Sequence, residues 1–215
     1  MRRAVVAVLA WAASWTMLSG VAFAQSPTAA DESKGYAEVV AQSAFGNVTS
    51  QSFGGELGVT VKPGLQVYVD AGYVRDTTPS SLSASAQAVA GAIGAQAGGS
   101  SYQVKQPVTF GVAGIKYLLP VDQSRFAPYL MAGGGAARVQ KDVSFTVAKG
   151  QVSDYVTIGN DLAGSETKGM VSVGIGVDVA LGGTFIVDLQ YRFGRVFTSE
   201  GLNINRLGVG FGVRF

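Results

Sequence analysis

The chain has 215 residues, 47% of them hydrophobic and only 14% charged, with a formal net charge of +2. Cysteine and histidine are both absent. That composition excludes disulfides, thiolate chemistry, and the usual neutral-pH general base and metal ligand. A charge this close to balance provides no dense basic surface for nucleic acid.

The length suits one domain, and glycine is heavily used, at 30 residues. At the start, Arg2 and Arg3 precede a charge-free, mostly apolar stretch at 4–18, and Ala22-Phe23-Ala24 then gives small-x-small before Gln25. This pattern predicts a cleaved signal peptide over residues 1–24. The apolar core is short for a membrane anchor, because a bilayer core is ~30 Å thick. Residues 25–34 read as a polar linker, and 35–215 as the folded domain.

From Lys34 onward the period is two, which is the period of strands. Residues 36–45 give a first, weaker strand. Residues 53–62 set Phe53, Gly55, Leu57, Val59 and Val61 against Gly54, Glu56, Gly58 and Thr60. Residues 65–75 set Leu65, Val67, Val69, Ala71 and Tyr73 against Gln66, Tyr68, Asp70 and Gly72. Residues 108–119 and 126–139 alternate less cleanly, and Pro128 predicts a bulge or kink in the second. Residues 170–181, 184–195 and 206–215 alternate most clearly. The reading is eight strands of ~10 residues, the length a tilted membrane strand needs.

The connections alternate in length. Lys62-Pro63-Gly64, residues 120–125 and a two-residue Gly182-Gly183 hairpin are short. Segments 46–52, 76–106, 141–167 and 198–203 are longer. Short turns on one side and long loops on the other form the outer-membrane barrel pattern. Within the second loop, residues 80–98 are alanine-rich, and two states stay open for them. One is a helix capped by Ser80 or Ser81, with Leu82, Ala86, Val89 and Ile93 as its apolar stripe. The other is disorder, since Gly91 and Gly94 interrupt the segment.

Periodicity alone does not say which face is outside. A soluble barrel hides its apolar face, and a membrane barrel turns it to lipid. Here the polar face is rich in glycine, at Gly54, Gly58, Gly72, Gly174, Gly176 and Gly208 among others. Such gaps suit a narrow interior. The same face carries Glu38, Glu56, Asp70, Asp178 and Asp188 against Lys116, Arg138, Arg192, Arg206 and Arg214. Opposite charges in equal number suit a closed interior, where an unpaired ion costs several kcal/mol. The other face carries no charge between strand ends; Arg75 and Arg195 lie at its loop side. Aromatic girdles are expected at Tyr117, Tyr129, Phe185 and Phe215 near the tight turns, and at Phe45, Phe53, Tyr73 and Phe193 near the long loops. The fold class is therefore all-β, an eight-stranded antiparallel up-and-down transmembrane β-barrel.

Three segments carry a resemblance. The tail Gly208-Val-Gly-Phe-Gly-Val-Arg-Phe215 resembles the C-terminal signal strand of outer-membrane barrels. The run Phe126-Ala-Pro-Tyr-Leu-Met-Ala-Gly-Gly-Gly135 is similar to the proline-tyrosine-glycine strand of the small outer membrane protein beta-barrel domain family, relatives of OmpA and OmpX. Val187-Asp-Leu-Gln-Tyr-Arg192 resembles that family's penultimate strand. The resemblance covers about residues 35–215. It implies integral residence in a bacterial outer membrane, a periplasmic N-terminus and recognition of Phe211 and Phe215 by the barrel assembly machinery. It implies no reaction, because a shared scaffold is not a shared activity.

No motif points to an enzyme or a cofactor. The Gly-x-Gly repeats sit inside strands and open no helix, so a nucleotide-binding reading fails on context. Asn47-Val48-Thr49 matches a glycosylation acceptor by chance. Asp154, Asp161 and Glu166 could ligate a divalent cation but read better as a solvated loop. The inward charges read as a paired filling rather than an ion path, since eight strands leave room only for side chains. The leading expectation is a structural or surface-interaction protein, with loops 76–106 and 141–167 presented to extracellular or host-surface ligands. A narrow transport pore is second, a lipid-modifying barrel enzyme third and a soluble lipocalin-like binder fourth.

Overall fold

A computed structural model of the chain describes residues 34–121, 125–157, 159 and 162–215. The signal peptide and almost all of the polar linker lie outside the described residues, as does Asp161.

Alternating residues make the strands. In order they are β1 (Gly35–Phe45), β2 (Ser50–Lys62), β3 (Leu65–Val74), helix α1 (Ser80–Ala97), β4 (Ser100–Lys105), β5 (Val108–Leu118), β6 (Phe126–Val147), β7 (Gly164–Ala180), β8 (Phe185–Val196) and β9 (Leu202–Arg214). Eight of them form a closed antiparallel ring, β1-β2-β3-β5-β6-β7-β8-β9, in which β9 pairs back onto β1. Closure leaves the ring no unpaired edge. β4 stands outside the ring and pairs only with the far end of β6.

The apolar face is outside. Val39, Leu57, Ile175, Leu189, Val209 and Phe211 are each about half exposed or more. A continuous apolar belt of this kind is insoluble in water and is the surface of a membrane barrel. No helix among the described residues is long and apolar enough to cross a bilayer; the strands do the crossing.

Several expectations change. β6 and β7 have 22 and 17 residues, well beyond the predicted ten, and stand above the barrel rim. The third long loop is correspondingly shorter than 141–167. The register of β6 against β7 runs unbroken from Phe126 to Lys141, so Pro128 makes no bulge. The irregularity lies instead between Thr60 and Lys62, beside the Lys62-Pro63-Gly64 turn. The Gly182-Gly183 connection is wider than two residues: Leu181 N–H donates to the Phe185 carbonyl at 2.9 Å.

The second long loop is ordered. Residues 80–97 are helical, with Pro79 rather than a serine at the N-cap and Gly98 ending the helix at φ 71°. Only glycine takes that left-handed conformation without strain. Leu82, Ala86, Ala90, Ile93 and Ala97 pack on Val143 and Phe145 of the β6 extension and on Leu162. Val89 is only half-buried. This small core lies above the barrel. It stabilises the cap by ~1.5–3 kcal/mol for each large side chain buried, which outweighs the two interrupting glycines at ~1 kcal/mol each.

Candidate functional site

The barrel interior holds the chemistry. Every second residue of each ring strand points inward, so charges from seven of the eight ring strands meet on one axis. Arg192 of β8 is at the centre. Its Nη2 lies 2.6 Å from Glu56 Oε2 and its Nη1 lies 2.8 Å from Asp70 Oδ2. Arg206 reaches Asp70 at 3.5 Å and stacks 4.2 Å over the Phe110 ring. Lower down, Lys116 lies 3.2 Å from Asp178, which also meets Arg214 at 3.5 Å. The Lys116 ammonium is 4.0 Å from the Tyr129 ring centre and 4.5 Å from that of Tyr36. Cation–π attraction strengthens where water is excluded. The Tyr129 hydroxyl donates to Asp188 at 2.8 Å, and the Tyr36 hydroxyl donates to Glu56. Glu38 is 3.9 Å from Arg192.

The structure places Glu38, Glu56, Asp70, Lys116, Asp178, Asp188, Arg192, Arg206 and Arg214 in the lumen, all buried. It does not bring Arg138 there. Arg138 is exposed on the outer wall, where its Nη2 donates to Ser165 Oγ at 3.0 Å. Tyr129, expected in a girdle, is buried in the lumen instead. One parity error explains both. The sequence reading turns Tyr129 outward and Arg138 inward, one residue out of phase with the strand, and a one-residue shift exchanges faces. Without it, Ala127, Tyr129, Met131, Ala137 and Val139 point in. Both faces of this strand are small or apolar, so alternation gave no warning.

Tyr36 also belongs to the cluster and was missed. Its signal is spacing: it lies two residues before Glu38 and shares its face.

The luminal glycines make room for these groups. A Cβ on Gly58 would fall 2.1 Å from the Tyr36 ring, and one on Gly176 would fall 2.4 Å from the Tyr129 hydroxyl. Large inward side chains on one strand fill gaps left by its neighbours, which gives the interior tight packing.

Above the ions, the lumen turns apolar. Val74, Val108, Phe110, Val139, Met170 and Val196 are each 4% exposed or less and belong to one cluster at the long-loop end. Leu118, Ala127 and Ile186 are buried at the tight-turn end. The ionic layer is therefore enclosed at both ends.

Outside the rim, hydrogen bonds fix the cap. Asp76 Oδ1 accepts from the Thr78 and Gln106 backbone N–H groups, both at 3.0 Å. Ser81 Oγ donates to Glu200 at 2.8 Å, which ties α1 to the β8–β9 loop. A cleft of about 530 Å³ opens at this junction, with Asn47, Ser85, Lys141, Glu166 and Thr198 in its walls. Glu166 pairs with Lys168 at 3.3 Å, and no group of three metal-ligating side chains occurs among the described residues.

A closed ring with lipid-facing apolar residues and luminal ions defines the class: a transmembrane eight-stranded β-barrel. No protein-family model and no curated protein sequence matches the chain. Solved structures do. Neisserial surface protein A superposes with a TM-score of 0.55 at 18% identity, over 84% of this chain and 96% of that one. Ail, the attachment invasion locus protein of Yersinia pestis, gives 0.46 at 15% identity, over 84% and 94%. The N-terminal β-barrel domain of Pseudomonas aeruginosa OprF gives 0.47 at 14% identity, over 84% and 99%. The fold is thus that of the small outer-membrane barrels of the OmpA/OmpX type, an assignment carried by the first of these likenesses.

Proposed function

We propose that the chain is an integral protein of a bacterial outer membrane with a structural or surface-interaction role, and that it is neither a pore nor an enzyme. The observation that carries this reading is the closed lumen. Five buried carboxylates and four buried cations fill its middle, and fully buried apolar side chains such as Val74, Val108 and Met170 seal it toward the long loops. An ion crossing that layer would shed its hydration with no polar group to replace it. The absence of histidine and cysteine from the sequence supports a non-catalytic role.

The remaining parts of the reading rest on the sequence pattern. Residues 1–24 act as a signal peptide and 25–34 as a linker, which leaves the N-terminus and the tight turns periplasmic. The barrel assembly machinery recognises the terminal strand through Phe211 and Phe215, whose side chains face outward. The ordered cap of α1, β4 and the β6 extension is the part that meets extracellular or host-surface ligands. Its own apolar core and its hydrogen bonds to the rim hold it in one shape, and a pre-shaped surface loses less entropy on binding.

Planar-bilayer recording on the purified chain tests the central point. The expected trace is flat. Sustained open conductance, abolished by filling the lumen with Gly208→Trp, would establish the pore reading instead.

A further inference from the structure

The long-loop mouth of the barrel carries a second set of polar groups, separate from the luminal ions. Lys105 of β4 pairs with Asp142 of β6, and Val108 of β5 pairs with Val139 of β6. The strands stay in step between these pairs, because Gln140 N–H donates to the Pro107 carbonyl at 3.0 Å. Gln106 therefore falls opposite Lys141, and the Cβ atoms of such cross-strand neighbours lie ~5 Å apart. Both share the inward parity of Val108 and Val139, so they stand side by side above the apolar plug.

Gln106 is 5% exposed. Its backbone is pinned at both ends: the N–H donates to Asp76 Oδ1 at 3.0 Å, and the carbonyl accepts from the Thr77 N–H at 2.9 Å and from Thr77 Oγ1 at 2.8 Å. Its carboxamide makes no hydrogen bond among the described residues, and the residue lines the cleft of about 530 Å³. A buried amide is costly unless something in the cleft satisfies it. Lys141 stands half-buried in the same wall, with no hydrogen bond and no carboxylate within 4.0 Å among the described residues. Glu166, across from Val139 on β7, is held instead by Lys168 at 3.3 Å.

The first turn of α1 forms another wall. Pro79 at the N-cap offers no side-chain hydrogen bond, and no acidic residue lies in that turn. Ser83 N–H bonds the Pro79 carbonyl at 3.2 Å, so the N–H groups of Ser80, Ser81 and Leu82 have no helical acceptor. They bring the positive end of the helix dipole to the cleft.

From this arrangement we infer that the cleft binds an acidic sugar, a pyranose bearing one carboxylate. Lys141 and Gln106 take the carboxylate, with the α1 N-terminus adding to the positive field. The ring hydroxyls both donate and accept, and they meet Glu166, Glu200 and Thr198 on the remaining walls. Those two glutamates repel a polyanion, which favours a ligand with a single charge. Hydroxyls, amides and charges outnumber apolar side chains in the lining, which suits a polyol better than a peptide anchor. The volume falls within the ~300–1,000 Å³ of small-ligand sites. The inference rests on the surface-interaction reading proposed above and names its ligand.

The test uses the full mature chain in phosphatidylcholine nanodiscs, titrated with methyl glucuronide and followed by saturation-transfer NMR. Methyl glucoside, acetate and trialanine are the comparison ligands. The glucuronide is expected to bind several-fold more tightly than any of the three. Lys141→Met and Gln106→Leu should each weaken it several-fold, while Lys149→Gln, outside the cleft, should leave it unchanged. All three variants should keep the gel shift of a folded barrel. Equal binding of the glucoside overturns the site, as does binding that survives both Lys141→Met and Gln106→Leu. Acetate or trialanine binding as tightly as the glucuronide overturns the sugar assignment, since a carboxylate alone would then suffice. Failure of the wild type to insert, or sustained open conductance, would instead refute the reading underneath.

Discussion

Replacing Arg192 with methionine isolates the ionic layer. The guanidinium contacts Glu56 at 2.6 Å and Asp70 at 2.8 Å, and all three side chains are buried. Methionine keeps much of the volume but removes the charge. Asp70 retains Arg206 at 3.5 Å, but Glu56 retains only the Tyr36 hydroxyl and Glu38 loses its contact at 3.9 Å, so two carboxylates are left buried without a paired cation. Breaking a buried pair from one side costs about 3–5 kcal/mol, roughly 10²–10⁴ in the folding equilibrium. Urea titration of the barrel in lipid vesicles, read by the gel shift of the folded form, measures the loss. The double variant Arg192→Met/Glu56→Gln should recover most of it, because a neutral amide needs no counter-ion and Asp70 stays paired with Arg206. A single-variant cost below about 1 kcal/mol, or a double variant no more stable than the single, would refute the claim that buried ion pairs hold the interior.

Three further outcomes are expected. Ile175→Arg and Val209→Arg, on the lipid face, should each destabilise the inserted barrel by ~2–4 kcal/mol, while Gly91→Arg on the open face of α1 should have no effect on urea midpoints. Gly94 is an unsuitable control for that comparison, because a Cβ there would lie 3.0 Å from Ser100 Oγ. Gly58→Ala should cost about 1–3 kcal/mol through overpacking against Tyr36, whereas Gly183→Ala, which meets nothing within 4 Å, should leave stability unchanged in the same titration. Phe215→Ala should slow appearance of folded barrel in growing cells and leave spontaneous refolding into vesicles unaltered, as judged by pulse labelling beside refolding kinetics.

The ring was legible in the sequence because its information is periodic. In β7, β8 and β9 one face is almost wholly apolar, so alternation gives both the strand and its register. The inside-out assignment was legible too, since Glu56, Asp70, Asp188 and Arg206 share a face with glycines too frequent for a solubilising surface. β6 was not legible. Its inward and outward residues are equally small or apolar around Gly133-Gly134-Gly135, so nothing fixed the parity, and Arg138 and Tyr129 were exchanged together. The cap escaped for a different reason. β4 and the end of β6 alternate only weakly, and α1 gains its stability from contacts with Val143 and Phe145, about fifty residues further along the chain. Local propensity does not contain such contacts.

Lipid-borne photolabelling of the unmodified protein tests the arrangement most directly. A carbene generated within the acyl region, followed by peptide mass spectrometry, should mark Leu189, Leu207 and Val209 and leave Asp188, Arg192 and Arg206 untouched. Labelling of the charged set with sparing of the leucines would contradict the account at its root.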